Sequence, residues 1–114
     1  HHLKDNSNCT IDSFCEMVAR TAEIMNVNNI GIGSDLCLNQ PDEVVEWMRN
    51  GTWSKSKNYG EGSQNRPGFP KQPKWFEDAR GFKNLEKGFK KIGFSDTETD
   101  GILGNNWYNF YKTI

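Results

Sequence analysis

The chain has almost no net charge, no long apolar run and no paired-cysteine motif, and each shortage removes a class of function. Its 14 basic and 15 acidic residues leave a formal charge of −1. Nothing in that balance favours nucleic acid or an anionic membrane surface. No apolar stretch approaches the roughly 20 residues that span a bilayer, and no signal peptide opens the sequence. Cys9, Cys15 and Cys37 form no CxxC pair and, being odd in number, cannot all pair with one another. Reduced thiols in a cytosolic protein are the plainest reading. Asn8-Cys9-Thr10 and Asn50-Gly51-Thr52 fit the glycosylation triplet, a pattern common by chance.

Apolar residues are also scarce. They make up 34% of the 114 residues, with a mean hydropathy of −0.83. The length suits one ordinary domain or a piece of a larger one. Folding must offset roughly 1–2 kcal/mol of backbone entropy per residue, and this supply is thin for an independent α/β domain. The expectation is a fragment that takes part of its core from chain beyond these residues.

What is present is helical periodicity. Ile11, Phe14, Cys15, Val18, Ala22 and Met25 recur at helical spacing within Thr10 to Met25, and Thr10 or Ser13 can cap the first amides. Ser13 with Glu16 has the spacing of a capping box, as does Ser95 with Glu98. Pro41 and Gly51 bracket a second candidate helix containing Val44, Val45, Trp47 and Met48. Residues 51–73 are rich in Gly, Ser, Asn, Lys and Pro and lack periodicity, while Trp53, Tyr59 and Phe69 give the stretch something to bury. Asn84 is placed to cap a helix bearing Leu85, Phe89 and Ile92 that Gly93 ends. Asn105 or Asn106 is placed to cap a last helix with Trp107, Phe110 and Tyr111.

Between the first two helices stands Ile30-Gly-Ile-Gly-Ser-Asp35. Isoleucine alternating with glycine suits a strand covered on both faces, as in a parallel sheet. A helix, a polar break and such a strand make half of a βαβ unit. A carboxylate just beyond the carboxyl end of the strand is where α/β enzymes place working groups. Asp35 is therefore the leading candidate, against the bland reading of an aspartate bonding nearby turn amides. The other candidates have equally plain alternatives. His1 and His2 could bind metal but fit an exposed chain end, and Cys37 fits a small buried hydrophobe. Tyr59, Arg66 and Trp75 could contact a ligand or pin the long loop. Arg66, the only arginine of that loop, could pair with a substrate carboxylate through two parallel bonds. Glu43, Glu46 and Glu61 read as solvated charges.

The order of two motifs is more specific than either alone. Val27 to Asp35, followed by Phe82 to Tyr111 with its GFSDTETDGILGNNW run, resembles the carboxy-terminal part of the renal-type membrane dipeptidase family. The helix from Thr10 fits the one before that family's last barrel strand. The likeness covers most of the chain except the middle loop. It implies a metallohydrolase of the amidohydrolase superfamily with an α/β fold. This chain would then be the carboxy-terminal portion of a (β/α)8 barrel, mostly helical with one short parallel-type strand at Ile30 to Gly33.

The resemblance also implies a zinc pair that polarises the scissile carbonyl of a dipeptide or similar small amide. Asp35 matches the aspartate facing that centre, near catalytic water and substrate. The family's histidine-rich stations, its metal-binding glutamate and its substrate-binding arginine have no match here, so the segment alone should be inactive. The sequence departs from the family at Cys37 and Leu38, where an acidic residue and a glycine are common, and in a longer 39–76 segment. Substrate preference is what these departures leave open. The expected partners are the small substrate and either the remainder of the barrel or a second copy. The alternatives are a non-catalytic module binding ligand through Trp53, Tyr59 and Phe69, and a structural module packing on a partner chain.

Overall fold

The computed structural model of the chain describes residues 5–41, 43–44 and 71–114. They divide into two compact units, one drawn from His1–Ser34 with Pro73–Ile114 and the other from Asp35–Gln72. The first unit is built from helices. Helix α1 is Ile11–Met25, α2 is Phe82–Ile92, α3 is Asp96–Asp100 and α4 is Asn106–Lys112.

Helix α1 starts where the sequence favours it. The Thr10 side chain accepts a hydrogen bond from the Ser13 amide at 3.1 Å, which satisfies one of the donors left open at a helix start. Ser13 lies inside the first turn, so it does not act as the cap. Asn26, with φ 69°, ends the helix and then accepts from the Asn28 amide through its own side chain.

Helix α2 packs against α1. Leu85 and Phe89 are buried, together with Cys15 and Val18 of the facing helix. The two helices come close at Gly88, where an added Cβ would lie 2.6 Å from the Cys15 sulfur. At the edge of this contact, the Lys91 ammonium donates to both carboxylate oxygens of Asp12 at 2.9 Å. The end of α2 is a Schellman turn. Gly93 takes φ 108°, its amide donates to the Lys90 carbonyl, and the Phe94 amide donates to the Phe89 carbonyl. The Phe94 and Phe89 rings then meet edge to face at 5.7 Å, the apolar contact that accompanies this turn.

The capping box at Ser95 and Glu98 is formed in both directions. By contrast, Asn84 does not open α2. A short turn at Ala79–Gly81 precedes the helix, and Asp78 caps it by accepting from the Arg80 amide. Asn84 instead donates to the Trp75 carbonyl at 2.8 Å. Trp75 is a structural pin: its indole N–H donates to the Cys9 carbonyl at 2.7 Å and its ring rests beside Phe14.

The expected α/β architecture is not what the chain adopts. Among the described residues the fold is all-helical with no strand. Ile30 is extended, with φ −111° and ψ 138°. A strand also needs a ladder partner, and no described residue supplies one. Within 31–34 the one backbone–backbone hydrogen bond among the described residues runs from the Ile32 amide to the Ile102 carbonyl, in a helical turn. The barrel portion and its parallel-type strand are thus replaced by an extended connector laid across helices.

Candidate functional site

The first unit fixes that connector in three places, all ahead of Ser34. Asn106, expected as a helix cap, makes no capping bond. Its side-chain amide bridges the carbonyls of Val27 and Ile30, each at 2.8 Å. The neighbouring Trp107 ring lies on Gly31, where an added Cβ would come within 2.2 Å of the indole nitrogen. Glycine is required there by this close approach, as the backbone can meet the ring only without a side chain. The bond from Ile32 to Ile102 is the third attachment. The GILGNN sequence makes the arrangement possible. Gly101–Asn105 forms a wide helical turn kinked at Gly104, and this turn starts α4 with Asn106 and Trp107 on the connector.

Beyond Ser34 the chain enters the second unit. Asp35 is exposed and takes φ 48°, and Asn39 takes φ 58°. Aspartate and asparagine tolerate this left-handed region better than other residues with a Cβ. Leu36 and Cys37 are half-buried, while Leu38 is exposed. The Val44 amide donates to the Pro41 carbonyl at 3.1 Å, and Glu43 and Val44 are helical and lie just beyond the expected proline start. His1, His2, Glu46, Trp53, Tyr59, Glu61, Arg66 and Phe69 lie outside the described residues, as does most of the expected helix after Pro41.

Burial disfavours the thiolate form of both cysteines of the first unit. Burial pushes Cys15 up to about 11, with the Asp12 carboxylate adding to the effect. Cys9 is raised by burial and then by Asp5. A nucleophilic cysteine needs the opposite setting, one that stabilises thiolate. No group of three or more His, Cys, Asp or Glu among the described residues could hold a metal ion. Among the described residues there is thus no set of ligands for the zinc pair that the dipeptidase likeness implies. No helix among them is long and apolar enough to cross a membrane. Compared with known proteins, the chain matches no family model, no curated protein and no solved structure.

The carboxamide of Asn106 and the ring of Trp107 are the site features that sequence reasoning missed. An Asn-Asn pair before an aromatic run carries the same local signal whether it caps a helix or bridges distant carbonyls.

Proposed function

We propose that this chain is a segment of a hydrolase acting on dipeptides or similar small amides, with Asp35 as its acid–base group. The observation carrying this reading is the exposed carboxylate of Asp35. The ordered likeness of Val27 to Asp35 and Phe82 to Tyr111 to membrane dipeptidases supports it. A carboxylate so presented takes a proton from the water that attacks the amide carbonyl. The C–O bond forms, the C–N bond breaks, and the proton is returned to the leaving amine.

The cofactor of this reading is zinc, two ions, held by ligands other than the described residues. Arg66 pairs with the substrate carboxylate and Tyr59 contacts the substrate in the same reading. The chain by itself then lacks what turnover needs. Calorimetric titration of the 114-residue chain with zinc should give no stoichiometric two-ion binding, and incubation with dipeptides should release no amino acid. Two-zinc binding by these residues alone, or dipeptide cleavage by them, would contradict the proposal.

A further inference from the structure

We draw no further inference here: the strongest candidate, the half-exposed aromatic stripe of α4 with the groove that Trp107 and Phe110 form beside Met25 and Ile30, carries nothing because nothing in the structure shows what covers it.

Discussion

Between α1 and α2 the large apolar groups are fully enclosed, with Phe89 and Cys15 at 0% exposure. On α4, a few residues further along the same chain, four aromatic rings stand half in solvent. Both regions have helical periodicity and both are rich in aromatics, so composition does not separate them. What separates them is the partner. The α1–α2 pair brings its own complement in Gly88, which lets the helices approach at Cys15. Helix α4 touches the connector through Asn106 and Trp107 and leaves the remainder of its stripe uncovered. The first region holds the unit together, while the second fixes the connector from Val27 to Ile32.

The contrast can be broken most directly at its extremes. Phe89→Ala should cost about 3–5 kcal/mol, the loss for a large aromatic removed from a closed core. Phe110→Ala should cost no more than about 0.5 kcal/mol in the monomer. Urea titrations of the two variants at low protein concentration measure both. Equal losses would mean that α4 is as much core as α2.

Asn106→Ala sharpens the comparison from the other side. It removes the side-chain donor to the Ile30 carbonyl and leaves the Val27 carbonyl only the Ile30 amide at 3.4 Å, at about 1–3 kcal/mol for a part-buried group left unpaired. The near-UV circular dichroism of Trp107 should change as well, because the indole loses its anchored neighbour. An unchanged aromatic spectrum would show that the ring is held by Gly31 alone.

The smallest effect belongs to the cap of α3. Ser95→Ala should cost about 1 kcal/mol. The Glu98 carboxyl lies below its usual range, first through the Ser95 amide and then through the Ser95 hydroxyl. A folded-state value lowered in this way adds stability above the unfolded glutamate value of about 4.3. That stability is lost as pH falls through the folded value. Thermal melts at successively lower pH below that point should show the parent chain losing more stability than Ser95→Ala. Parallel loss in both would break the link to the capping box.

These regions also differ in how far the sequence discloses them. The Thr10 cap, the Gly93 turn and the Ser95–Glu98 box are legible because donor and acceptor lie within a few residues. Asn84 and Asn106 are misread as caps for the opposite reason. Asn84 reaches 9 residues back, and Asn106 reaches back 76 and 79 residues, and no local pattern encodes such partners. The Ile30 to Gly33 stretch stands between these cases. Its residues favour an extended backbone, which Ile30 adopts, but they do not specify a neighbouring strand, which is absent among the described residues. At Asp35 the backbone takes φ 48°, a conformation that aspartate tolerates. The contacts of Tyr59 and Arg66 lie outside the described residues.

The hydrolytic account stands on Asp35. Its most direct test is dipeptide turnover by the full-length protein carrying this sequence, supplied with zinc, as wild type and as Asp35→Asn. Loss of the acid–base group should lower kcat by roughly 10²- to 10⁴-fold, with KM little changed and the melting temperature preserved. Full turnover by Asp35→Asn, or no dipeptide hydrolysis by the wild-type protein, would contradict the account.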